Sequence, residues 1–100
     1  MKKKQSGETC RAHVFYSGRV QGIGFRYTAE KFAEDRGLVG WVKNLPDGRV
    51  ELLCEGPKDR IELLLRDIQQ SELAAYIKKT QCHWEKPTRE FKEFCIEFFL

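Results

Sequence analysis

Gly18-Arg19-Val20-Gln21-Gly22-Ile23-Gly24-Phe25-Arg26 is the stretch from which the rest of this 100-residue chain can be read. Ahead of it, Ala12 to Ser17 alternates, with Ala12, Val14 and Tyr16 on one face and His13, Phe15 and Ser17 on the other, the period of a strand. Behind it, Tyr27 to Arg36 reads as an amphipathic helix whose stripe is Phe25, Ala29, Phe32 and Ala33, with Gly37 suited to the left-handed stop. Three glycines in the seven residues Gly18 to Gly24 let the connecting backbone curl and turn several N–H groups into one hollow. A helix start at the end of such a loop adds unpaired amides and a positive dipole end. Arg26 adds a permanent charge on a planar fork that matches phosphate oxygens. The stretch reads as an anion cradle suited to a phosphoryl group.

Working outward, Leu38-Val39-Gly40-Trp41-Val42-Lys43 is a second strand, and Asn44-Leu45-Pro46-Asp47-Gly48 has its Pro, Asp and Gly at turn spacing, giving a hairpin into Arg49 to Glu55. Gly56-Pro57 opens a second helix with a buried stripe of Ile61, Leu64, Leu65 and Ile68, ended by Gln69-Gln70-Ser71. From Ile77 to Trp84 the pattern is again strand-like, with Thr80, Cys82 and Trp84 on one face and Ile77 out of phase, as a bulge or a late strand start would produce. After the loop Lys86-Pro87-Thr88, Phe94, Ile96 and Phe98 alternate with Cys95, Glu97 and Phe99 in a last strand. The order predicts an α+β fold, a ferredoxin-like split β-α-β sandwich with an antiparallel sheet and both helices on one face. Its other sheet face is open to solvent. Residues 1–9 are expected to form a flexible tail and residues 10–100 a single domain.

The net charge of +3 comes partly from Lys2, Lys3 and Lys4 and does not by itself argue for nucleic acid. No apolar run is long enough to span a bilayer, and the basic start is followed by polar Gln5 to Thr9 rather than an apolar signal segment, so the cytoplasm is the expected location. Cys10, Cys54, Cys82 and Cys95 stand singly, without the paired spacing of a zinc or redox site. Cys10 and Cys54 may share neighbouring strands, yet reduced thiols are the expectation for that compartment.

Other phosphate motifs do not fit. A Walker-type loop needs Lys-Ser or Lys-Thr after its last glycine, where Phe25-Arg26 stands, and a dinucleotide fingerprint needs glycine where Tyr27 stands. Cys54 and Arg60 have the spacing of a cysteine-dependent phosphatase loop, but Glu55 and Asp59 would bring negative charge into it and Leu53 replaces a helpful histidine. A strand end running into a helix cap is the plainer reading. A rival from another class is an RNA-binding module. Gln21-Gly22-Ile23-Gly24-Phe25 partly echoes the Gly-aromatic-Gly-Phe stretch of RNA-recognition motifs, and Phe15, Tyr16 and Trp41 could form an aromatic patch. In those domains the stretch lies on the third strand; here it follows the first, so Phe25 should face the core.

Together with Gly40-Trp41-Val42-Lys43-Asn44 and Asp47-Gly48-Arg49-Val50-Glu51, the glycine stretch resembles the acylphosphatase family, over roughly Arg11 to Phe98. The resemblance implies a catalytic arginine at Arg26, a catalytic asparagine at Asn44, and phosphate-binding backbone at Val20, Gln21, Gly22, Ile23, Gly24 and Phe25. Ile23 stands where valine is usual. The family's last strand often ends at an aromatic residue, matched by Phe98, whereas this chain runs on through Phe99 and Leu100. The same fold and motif occur as a domain within larger maturation proteins; a free-standing enzyme is the expectation here. The implied substrate is a small acyl phosphate and inorganic phosphate a product, with no cofactor, metal, membrane or nucleic acid involved and a monomer expected.

The residues point to the same chemistry. The cradle holds a cation and amides but no carboxylate, histidine or cysteine; His13 belongs to the face opposite Val14, and His83 is expected to be structural or exposed. Such a site cannot protonate a poor leaving group. The leaving group must depart as a stable anion, as a carboxylate does and an alkoxide does not. Asn44 would orient the attacking water, which a loose transition state asks to give up little proton.

Overall fold

The computed structural model describes residues 8–98. Its elements are β1 (Thr9–Gly18), α1 (Phe25–Asp35), β2 (Val39–Asn44), β3 (Val50–Pro57), α2 (Lys58–Gln69), a 3-10 turn (Glu72–Tyr76), β4 (Ile77–Glu85) and β5 (Phe94–Ile96). The sheet order is β4-β1-β3-β2-β5. Its four long strands are antiparallel, as expected, and β5 adds a short parallel edge through Gly40↔Phe94, Trp41↔Cys95 and Val42↔Ile96, so the sheet is mixed.

The alternation in β1 is realised as a two-sided strand. Ala12, Val14 and Tyr16 are fully buried and join Val42, Val50, Leu52 and Cys54 in one core with Phe25, Ala29 and Ala33 of α1 and Ile61, Leu64 and Ile68 of α2. Both helices therefore cover one face. At about 25 cal/mol per Å² of apolar area removed from water, burial of these side chains is the dominant favourable term in folding. The out-of-phase Ile77 marks a bulge: Ser17 pairs with Lys79, but Gly18 pairs with Ile77. The thiols of Cys10 and Cys54 lie on the neighbouring strands β1 and β3, and all four cysteines are free.

Several boundaries differ from expectation. Thr9, placed in the tail, is already in β1 and pairs with Pro57, where the β1–β3 ladder runs one residue further than the apolar alternation marks; the rest of that expected tail, apart from Glu8, lies outside the described residues. Helix α1 starts at Phe25 rather than Tyr27, and the last strand stops at Ile96, leaving exposed Phe98 beyond it and Phe99 outside the described residues. The segment from Glu72 to Tyr76 is a 3-10 turn; Ser71 caps it by accepting the Leu73 N–H at 3.0 Å.

The open face is not bare. Glu55, 2% exposed, accepts the backbone N–H groups of Thr88 (2.8 Å) and Arg89 (3.0 Å), which straps the β4–β5 crossover across one end of this face. Further along, His13 sits between the carboxylates of Glu51 and Glu85. Phe15 lies beneath the Arg49 guanidinium and Trp41 beneath the Lys43 ammonium, each cation 4.8 Å from the ring centre. Tyr16, the third ring of the expected aromatic patch, is in the core instead. Phe15 and Trp41 thus each carry one of the protein's own cations.

Candidate active site

The bulge at Gly18 releases the chain from the sheet, and the Arg19 N–H donates to Tyr76 O at 3.0 Å as it leaves. Val20 then anchors the loop in the core. Gly22 and Gly24 have φ of +81° and +82°, and a Cβ at either would meet nothing within 4 Å. Glycine is required there by backbone angle, not by space: the left-handed region costs another residue roughly 1–2 kcal/mol.

Gly24 is also the N-cap of α1, with no side-chain cap and no acidic residue in the first turn. The first helical bond runs from Thr28 N–H to Gly24 O at 3.0 Å, so the amides of Phe25, Arg26 and Tyr27 point out of the helix end without an intrahelical acceptor. The loop is clamped at its base, where Tyr16, just before it, packs on Phe25, just after it, with ring centres 4.9 Å apart.

The result is a cleft of about 210 Å³ lined by Val20, Gly22, Gly24, Phe25, Arg26, Tyr27 and Asn44. Arg26 arrives on the first turn of α1. Asn44 arrives from the opposite direction, as the last residue of β2, paired with Val50. Two side chains 18 positions apart in sequence thus face one amide-lined hollow. Among the described residues Arg26 has no carboxylate partner; its guanidinium lies 5.2 Å from the ring of Phe98. The Asn44 Oδ1 is buried and makes no hydrogen bond among the described residues. Among the described residues no carboxylate, histidine or thiol lines the cleft.

Two of the eight residues expected at the site turn their side chains elsewhere. Ile23 packs against the core and lines a separate, larger groove with Phe32, Leu73 and Tyr76, one that contains no cation. Gln21 sends its amide to the β2–β3 turn. The backbone roles expected of both are left free by these orientations. Tyr27, lining the cleft, and Phe98, beside Arg26, were not anticipated; the helical stripe through Phe25 and Ala29 gives Tyr27 no distinguishing signal. Cys54 is fully buried, and burial pushes its thiol from its ordinary 9.0 up to about 12. That is the reverse of an activated nucleophile, so the phosphatase-like spacing is a coincidence of strand end and helix start.

A two-layer α+β sandwich whose first β–α connection is bent into an amide-lined, cation-bearing cleft defines a class of small anion-handling domains. The sequence profile of the acylphosphatase family matches residues 12–96. An acylphosphatase of Roseiflexus sp. (strain RS-1) is 42% identical over 89 residues, covering 89% of this chain and 96% of that relative. Two solved structures superpose closely. The acylphosphatase of Bacillus subtilis has a TM-score of 0.82 at 32% identity, covering 88% of this chain and 98% of that one. That of Coxiella burnetii has a TM-score of 0.80 at 32% identity, covering 97% and 100%. The chain belongs to the acylphosphatase family, and its enzymatic activity is that of an acylphosphatase.

Proposed function

We propose that this enzyme hydrolyses the carboxyl–phosphate anhydride bond of small acyl phosphates without a metal, with Arg26 and the Val20–Phe25 amides holding the phosphoryl group and Asn44 orienting the water. The water oxygen forms the new bond to phosphorus as the bond to the acyl oxygen breaks. The electron pair departs with the carboxylate, and the water's proton passes to solvent. As the phosphoryl group loosens, charge spreads over its equatorial oxygens, where fixed amides and a guanidinium are worth most. Asn44, across the hollow from the helix start, supplies orientation rather than basicity.

The observation that carries this reading is the cleft that Arg26 and Asn44 share with the glycine loop. Among the described residues its lining offers no carboxylic acid or imidazole to protonate an alkoxide, which favours an anhydride over a monoester. Inorganic phosphate is then a product and a competitive inhibitor. Four free thiols fit a reducing cytoplasm, and we take the working unit to be a monomer that binds no nucleic acid. The test is hydrolysis in chelator-treated buffer of an aryl acyl phosphate beside an aryl phosphate monoester. Turnover of the first alone is expected. Equal turnover of both, or dependence on added metal, would contradict the proposal.

A further inference from the structure

The side chain of Gln21 is the one group of the loop that reaches across to the hairpin. Its Nε2 donates to Leu45 O at 2.8 Å and to Arg49 O at 2.9 Å. Both amide hydrogens are used, and a carbonyl oxygen in their place would face two acceptors, so the orientation is determined. Among the described residues these are the only side-chain hydrogen bonds that join residues 19–24 to residues 43–49.

The turn does not need them to close. Leu45 N–H donates to Arg49 O at 2.8 Å, and Gly48 N–H donates to Leu45 O at 3.1 Å. What Gln21 adds is a tie between two separate pieces of chain. One end is the middle of the cradle, between Val20 and Gly22. The other is the turn that follows Asn44, at the carbonyls of Leu45 and Arg49, just past the end of the β2–β3 ladder at Asn44↔Val50. This side chain therefore ties the chain beside Asn44 to the middle of the cradle loop.

We propose that Gln21 is a positioning residue that fixes Asn44 against the phosphate cradle, a role apart from its backbone N–H and one that rests on Asn44 being the water-orienting group. In-line attack tolerates little displacement; a misplacement of about 1 Å can cost on the order of 10²-fold in rate.

Gln21→Leu tests this, because it keeps the backbone N–H, removes both bonds and leaves each carbonyl its backbone partner. The expected result is a fall in kcat of on the order of 10²-fold with an aryl acyl phosphate, while competitive inhibition by inorganic phosphate stays at the wild-type level. In an Asn44→Ala background, adding Gln21→Leu should cost no further turnover, since the group being positioned is gone. Gln21→Met, of similar length and uncharged but unable to donate to the two carbonyls, should reproduce the loss and carries the test if the leucine variant fails to fold. Additive losses in the double variant, or a parallel loss of phosphate inhibition, would overturn the inference while leaving Asn44 in place. Normal turnover by Asn44→Ala alone would refute the reading of Asn44 and this inference with it.

Discussion

Replacing Asn44 by alanine should separate activity from stability in opposite directions. The Asn44 Oδ1 is buried without a hydrogen-bond partner among the described residues. An unsatisfied buried polar group costs about 1–3 kcal/mol, part of which alanine recovers. The same side chain, if it holds the attacking water, is worth what a preorganised catalytic hydrogen-bonding group is worth, about 2.7–4 kcal/mol or 10²–10³ in kcat. In a domain of this size 1 kcal/mol moves Tm by about 4–8 °C. The expected variant therefore melts at or a few degrees above the wild type, binds phosphate as well, and is slower by two to three orders of magnitude. Loss of the ultraviolet absorbance of an aryl acyl phosphate gives kcat, phosphate competition gives cradle affinity, and a circular-dichroism melt gives Tm. A Tm lowered by 4 °C or more, with phosphate affinity lost in proportion, would mean that Asn44 builds the fold, and the argument would fail.

Arg26→Ala should weaken phosphate inhibition and turnover together, since the guanidinium serves ground state and transition state alike; near-normal hydrolysis would contradict its assignment. Tyr16→Phe removes a hydroxyl that is fully buried and unpartnered, so Tm should hold or rise, by at most about 1–3 kcal/mol of regained stability, whereas a clear fall would reveal a partner for that hydroxyl. Alkaline titration should lower stability above pH 9. Burial raises the Cys54 thiol from 9.0 to about 12, so between those values the unfolded chain has lost a proton that the folded one keeps, and stability falls by about 1.4 kcal/mol per pH unit for this group. Urea melts at pH 8, 9 and 10 would follow it, and Cys54→Ala should flatten the slope; an unchanged slope would refute the attribution.

Local pattern carried most of the architecture. The alternation of Ala12, Val14 and Tyr16, the turn residues Pro46, Asp47 and Gly48, and the broken phase at Ile77 each reflect one strand's own contacts, and each is realised in the sheet. What escaped was decided by partners distant in sequence. The start of α1 at Phe25 has no side-chain cap to announce it, because Gly24 holds the position by backbone angle alone. The parallel pairing of β5 follows a crossover that Glu55 straps down, and a glutamate on a strand looks like any solvated acid until Thr88 and Arg89 close over it. The convergence of Arg26 and Asn44 was read from the family's motifs; neither residue alone carries a signal beyond a helix-start arginine and a turn asparagine. Gln21 was read as one more loop amide, since nothing local distinguishes a side chain that will span to Leu45 and Arg49.

Amide-resolved NMR during titration with inorganic phosphate puts the cradle itself to the test. The account predicts that the N–H resonances of Val20 through Phe25 and the side chain of Arg26 shift together and saturate with one affinity, while those of the open sheet face stay still. Saturable shifts centred elsewhere, or none in the glycine loop, would contradict it.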